Sequence, residues 1–316
     1  MAEKVATRHA YGESLRDIGS DTRIVALDAD LATCTMSIMF GQKYPERFFN
    51  VGIAEANMVG MAAGMATLGL IPFLHSFAMF CAGRCYDQIR NSICYPNLNV
   101  KVVGTHAGLT VGEDGATHQC LEDLALMRAI PGMTVICPAD ARETKEAVSA
   151  IVKHNGPVYL RLGRLAVGSV SDFPGYAFEI GEAVKIRDGK DATIIATGLM
   201  VLEAQQAAQA LEKEGISVRV LNMHTIKPLD REAILAAAKE TGAIVTAEEH
   251  NVLGGLGGAV AEVVSELCPV PVKRIGTLDF FGRSGNAIAL LELYGLTADN
   301  IQKAVRQAVK EKREHG

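Results

Sequence analysis

Glu55 lies in FFNVGIAEANM, Phe48–Met58, where an apolar run ends at Gly52 and a helical pattern begins. A carboxylate at a helix start is stabilised by free backbone N–H groups and by the helix dipole. Taken alone it reads as an ordinary first-turn glutamate. Its position at the carboxyl end of a strand gives a second reading, because doubly wound sheets build ligand sites there. Apolar neighbours Ile53, Ala54, Met58 and Val59 would take it out of water, where a carboxyl can act as a proton carrier. The following Gly60, Ala63, Gly64 and Ala66 permit close packing against another helix or chain.

The loop THAGLTVGEDGATHQ, Thr105–Gln119, holds three glycines, two acids and two histidines. Glycines let such a loop bend sharply around a ligand. His106, Glu113, Asp114 and His118 could bind a hydroxylated, phosphorylated molecule. A metal cluster and a plain solvated loop are the alternatives. Phe77 and Phe80, three apart, read either as core or as an aromatic stack. Arg164, at the end of a strand, is placed for a phosphate or for solvent. LGGLGG at Leu253–Gly258 could bind phosphate. It misses the G-x-G-x-x-G spacing and follows the third strand of its half, which favours tight strand-to-helix packing.

These residues need a frame, and short apolar runs alternating with helical patterns supply it. Strands are expected at Arg23–Leu27, Phe48–Val51, Ile71–Phe73, Val100–Gly104, Thr134–Ile136 and Val158–Leu160. Helices are expected at Ala54–Leu68 and Leu121–Ile130. Asp140 with Glu143 has the spacing of a capping box. A second series has strands Ala192–Ala196, Ser217–Leu221, Ala243–Ala247 and Val272–Ile275. Its helices are Leu199–Glu214, one after Leu229, one after Gly257, and a terminal one capped by Thr297. The pattern predicts an α/β chain of two consecutive doubly wound, mostly parallel sheets. The expected domains are 1–168 and 190–316, joined by the Gly-, Ser- and Asp-rich linker 169–189.

The net charge of −5 gives no clustered positive face, so nucleic acid is not expected as a partner. The longest apolar stretch, Met58–Leu74, is broken by glycines and Pro72, so no membrane span is expected. The polar N-terminus has no apolar core of a signal peptide. Seven scattered cysteines without a CxxC pair suit a reducing cytoplasm, with Cys81 and Cys85 read as small core residues.

The segments GIAEANM, SFAMF, VGEDGATHQ, RAIPGMTVICPADARE and GPVYLRLGR occur here in the order found in transketolases. They resemble that family's pyrimidine-binding domain. VRVLNMHTIKPLD and the region Glu248–Gly258 resemble its C-terminal domain. The resemblance implies a thiamine-diphosphate enzyme that moves a two-carbon ketol unit from a ketose phosphate to an aldose phosphate. By position, Glu55 matches the glutamate that hydrogen-bonds the aminopyrimidine ring and activates the cofactor. Phe77 and Phe80 match aromatics around that ring, and Asp30 matches an acidic position near the cofactor entrance. His106, Asp114 and His118 match sugar-binding positions, the two histidines also being catalytic candidates. Arg8 and Arg164 match the arginines that hold the substrate phosphate.

There are departures. Cys34 stands where many members have Ser, a family Tyr is replaced around Gly83, and Cys81–Cys85 is one residue longer. No Gly-Asp-Gly followed by a suitable Asn occurs, so the family's Mg2+ and diphosphate site is missing. The resemblance therefore implies half of a two-gene enzyme. A separate N-terminal subunit would bring the metal ligands, and the family's symmetry implies α2β2. The β chain of a 2-oxo acid dehydrogenase, or half of a deoxyxylulose-phosphate synthase, is the alternative, since Tyr86-Asp87-Gln88 is similar to both.

Overall fold

The structure, a computed structural model, describes residues 4–315. Met1–Glu3 and Gly316, the ends of the two expected domains, lie outside the described residues. Strands β1 (Val5–Ala6), β2 (Ile24–Asp28), β3 (Phe48–Asn50), β4 (Ile71–Phe77), β5 (Lys101–Thr105), β6 (Thr134–Ile136), β7 (Val158–Arg161) and β8 (Ala166–Val167) occupy the first half. The second half holds β9 (Val184–Arg187), β10 (Ala192–Ala196), β11 (Val218–Asn222), β12 (Thr225–Lys227), β13 (Ile244–Asn251) and β14 (Val272–Thr277).

A seven-stranded sheet runs β12-β6-β7-β5-β4-β2-β3, and a five-stranded sheet runs β14-β13-β10-β11-β9. Within these two sheets every pairing is parallel except the edge strands β12 on β6 and β9 on β11, and a separate antiparallel ladder joins β1 to β8. Strands β2, β4 and β10 are buried along their whole length. That is why they read as near-continuous apolar runs: helices cover both faces of each sheet. The expected α/β class with two mostly parallel sheets is the observed one.

Three departures matter for the site. Strand β4 runs on to Phe77, four residues beyond its expected end, which places Ser76 and Phe77 inside the sheet. Strand β9 falls in the segment read as a linker, and β12 leaves the second half to close the first sheet. Short edge strands with mixed burial carry too few residues to show a period in sequence.

Candidate active site

The expected site residues gather mostly at the carboxyl ends of β4, β5 and β7. Phe77 ends β4, and its ring stacks on His106 at 3.9 Å and lies near-parallel to Phe80 at 5.9 Å. His118 meets both phenylalanines edge-on, at 6.1 and 5.2 Å. His106 follows β5 at φ +55°, a left-handed conformation that costs energy for a residue other than glycine. Only 3 % of it is exposed. Burial, with the charges of Arg8, Arg164 and His118 adding to it, pushes the His106 pKa down to about 3. The imidazole is therefore neutral at physiological pH, able to donate from one nitrogen and accept at the other.

Arg8 and Arg164, 156 residues apart, are brought together by the two-residue ladder of β1 on β8. Thr7 Oγ1 tightens that ladder by accepting from the Gly163 amide at 2.9 Å. Arg8 donates to the Cys34 carbonyl at 2.6 Å, while its buried Nε has no partner. Arg164 donates to the Val111 carbonyl and to Glu113 at 3.1 Å. Two guanidiniums beside a neutral histidine make a receptor for an anion on a polar molecule.

The histidine loop is held from the second half of the chain. Glu249 accepts from the Thr110 amide at 2.7 Å, and a Cβ on Gly108, at φ +84°, would collide with that carboxyl. Gln119 Nε2 donates to the carbonyls of Leu109 at 3.2 Å and Arg283 at 3.0 Å. Beyond His118 a cleft of about 500 Å³ opens between Met79, Thr117, Gln119 and the exposed Phe280 and Phe281.

Glu55 begins the helix Glu55–Thr67 with 2 % of its surface exposed. Met58 and Val59 are fully buried beneath it, but Ile53 is 77 % exposed and shields nothing. Positive φ at Gly52 turns the chain so that Ile53 faces outward. Gly60 and Gly64 have no atom within 4 Å of a built Cβ, so this face is not packed by the described residues. Both Glu55 oxygens accept from Arg84 Nη1 at 2.8 Å, and the Arg84 guanidinium lies 4.5 Å over the Phe80 ring. Through that arginine Glu55 joins the aromatic cluster. The turn carrying Phe80 is a π-helix, Met79–Gly83, which absorbs one extra residue. A turn widened in this way would take up the additional residue expected in Cys81–Cys85.

Asp30 and Asp114 do not join. Both are exposed, and Asp30 only accepts from Asn50 at 3.2 Å. The buried acid of that region is Asp28, which accepts from the Leu31 amide at 2.6 Å, Thr35 at 2.7 Å and Ser37 at 2.8 Å. Arg84 and Asp28 were not singled out from sequence. The one available signal was the extra residue ahead of Arg84.

The other sequence features prove structural. The Glu248 carboxylate accepts from the amides of Leu256 and Gly257 at 2.7 Å, so the amides a phosphate would need at LGGLGG are taken. Cys81 and Cys85 lie in the core, and burial pushes the Cys85 thiol up to about 12.

Residues 3–169 match the transketolase pyrimidine-binding domain, and residues 181–301 match the transketolase C-terminal domain. The chain belongs to the transketolase family. It is 49 % identical over 306 residues to a Methanocaldococcus jannaschii protein named as a transketolase C-terminal section, covering 96 % of each. It is 48 % identical over 292 residues to the 6-deoxy-6-sulfo-D-fructose transketolase subunit SqwH of Clostridium sp., covering 92 % of this chain and 90 % of that one. Among solved structures it is similar to a split-gene transketolase described as an inactive β4 tetramer. That match has 50 % identity and a TM-score of 0.90, and covers 98 % of this chain and all of the other. This transketolase-family chain thus matches the C-terminal section and the split-gene structure over nearly the full length of both partners in each comparison. Among its described residues no helix is long and apolar enough to cross a membrane.

Proposed function

We propose that this chain is the pyrimidine-binding half of a two-subunit transketolase that moves a two-carbon ketol unit between sugar phosphates. The observation that carries the reading is the buried Glu55 carboxyl joined through Arg84 to Phe80 and the Phe77 stack, with neutral His106 on Phe77 and Arg8 and Arg164 close to that histidine. A planar aminopyrimidine fits such a place: an aromatic face to lie on and a buried carboxyl for a ring nitrogen.

Thiamine diphosphate, on which the family depends, would supply the carbon nucleophile that carries the two-carbon unit. The chain's own residues do the rest. Glu55 hydrogen-bonds the ring and handles its proton, and Phe77 and Phe80 fix the ring plane. His106 and His118 bind the hydroxyls and carbonyl of the sugar and pass protons at the reacting oxygens. Asp114 reads a hydroxyl from the loop edge, and Asp30 lies at the cofactor entrance. Arg8 and Arg164 grip the terminal anion, phosphate by default; the sulfosugar in the name of the Clostridium relative makes sulfonate a candidate. Cys34, whose carbonyl holds Arg8, lies where that choice would be made.

The diphosphate end does not fit this chain in the same way. Among the described residues no three His, Cys, Asp or Glu side chains gather to hold a metal. An N-terminal subunit would bring the Mg2+ ligands, and an α2β2 assembly would put the cofactor between chains.

The test mixes the chain with its N-terminal partner, thiamine diphosphate and Mg2+, and offers phosphorylated and sulfonated ketoses with ribose 5-phosphate. Neither chain alone should transfer the two-carbon unit, and the mixture should. Transfer by this chain alone would sink the two-subunit reading. Decarboxylation of a 2-oxo acid without ketol transfer would put the chain with the oxo-acid dehydrogenases.

A further inference from the structure

The Glu55–Arg84 pair covers two surfaces at once. Arg84 Nη1 takes both carboxylate oxygens, and the guanidinium lies over the Phe80 ring. An aminopyrimidine held by Glu55 and Phe80 needs one of those oxygens and a face of that ring, so Arg84 cannot keep its grip on both oxygens and its place over Phe80 when the heterocycle lies there.

The pair is also asymmetric. Glu55 is 2 % exposed, whereas the Arg84 side chain is 48 % exposed and makes no other hydrogen bond among the described residues. A buried carboxylate without a partner is costly, so something must occupy it in the empty site. A half-exposed guanidinium, by contrast, returns to water at little cost. The partner that stays is the acid and the one that can leave is the arginine.

Local sequence makes this reach possible. The π-helical turn Met79–Gly83 delivers Arg84 directly after its extra residue. A Cβ on Gly83 would meet only the terminal methyl of the flexible Met79 side chain, so the turn leaves that methyl room rather than depending on it.

We propose that Arg84 is a positioning residue and place-holder for Glu55. It holds the carboxylate in the empty site and is displaced from both Glu55 and Phe80 when the aminopyrimidine ring arrives. The inference rests on the reading of Glu55 given under the proposed function.

The test uses the two-chain complex with Mg2+, titrated with thiamine diphosphate by calorimetry, for wild type, Arg84→Met, Arg84→Lys and Glu55→Gln. With no arginine to displace, Arg84→Met should bind the cofactor roughly fivefold more tightly. Lys cannot stack and fork as Arg does, so Arg84→Lys should fall between Arg84→Met and wild type. It also serves if the Met variant fails to fold. Arg84→Met should melt earlier than wild type when empty but show a larger rise in Tm on adding thiamine diphosphate. A merely structural arginine would lower the empty and loaded states alike, and that result overturns the proposal. So does cofactor affinity that is unchanged or weaker in both Arg84 variants. If Glu55→Gln binds and turns over as wild type does, the functional reading itself fails and takes this inference with it.

Discussion

Glu55 shows how little a residue's own sequence neighbourhood decides. A first-turn glutamate is common, and what sets this one apart is burial and a guanidinium from 29 positions away. A Glu55→Gln change in the two-subunit enzyme keeps the side chain's shape but removes its acid–base capacity. Ketol transfer should fall by about 100-fold or more while the subunits still associate. Gel filtration with a turnover assay checks both, and near-normal turnover would refute the cofactor-activating role. His224 gives a residue-scale prediction about stability. Its ring is fully buried, stacks on Phe178 at 4.2 Å, and is pushed by that burial down to about 3. Below pH 6.5 the unfolded chain takes up a proton at this histidine that the native chain refuses until about pH 3. Native stability tied to His224 is therefore lost as pH falls through that window. Denaturant melts should show wild type losing about 1.4 kcal/mol per pH unit relative to His224→Leu between about pH 6 and 3.5. Equal pH slopes for the two proteins would mean that the ring can be protonated in place.

At the scale of elements, the capping pattern at Asp140 shows both what sequence reveals and where it stops. The Asp140 carboxylate accepts from the Glu143 amide at 2.9 Å, as the spacing predicts. Glu143 does not complete the reciprocal box: its carboxyl accepts from the Ala139 amide, Asn222 and Tyr176 instead. Asp140 also accepts from the amides of Val170 and Ser171 at 2.7 and 2.8 Å, and from the Ser169 and Ser171 hydroxyls. It thereby ties the helix Ala141–Lys153 to the segment that leaves the first sheet. Asp140→Ala should cost about 3 kcal/mol or more, well beyond a simple cap, as read by the denaturation midpoint. A loss near 1 kcal/mol would show that the second segment is held by other contacts. The same division between local and distant applies to the whole site. The buried parallel strands were legible because an apolar run needs no partner to be recognised. Phe77, Phe80, His106, His118, Arg8 and Arg164 were legible because their motifs keep a family order. Arg84 on Glu55, Asp28 with Thr35 and Ser37, and the β1–β8 ladder were not, because each depends on a pairing that no local period announces. Asp30 stays outside the cluster because the chain turns at φ +65° just past the buried strand end, and the acid that faces inward is Asp28, two residues earlier.

For the whole molecule, the two sheets are interlocked rather than strung together. Strand β12 from the second half closes the first sheet, and Lys227 on that strand donates to the carbonyls of Arg128 at 2.8 Å and Ile130 at 2.6 Å. At the centre of the junction, Arg161 donates to Asp123 at 2.8 Å and to the Glu249 carbonyl at 2.9 Å, with Tyr159 completing the Asp123 shell. Burial works against the Asp123 charge, but Arg161 holds its carboxyl below the usual range, so the pair stays ionised inside the protein. An ion pair this deep contributes little net stability when intact, yet breaking it strands a buried charge. Arg161→Met should therefore cost about 3–5 kcal/mol and lower Tm by roughly 5–8 °C. Because Glu249 also holds the Thr110 amide, loosening this junction reaches the histidine loop. The melt should nevertheless remain one transition, seen alike by calorimetry and circular dichroism, since neither sheet has a complete edge or core without the other half. Adding Asp123→Asn to Arg161→Met removes the stranded charge and should recover part of the lost stability. A melt that splits into two steps, or a double variant no better than the single one, would show that the halves fold independently and that the buried pair does not join them.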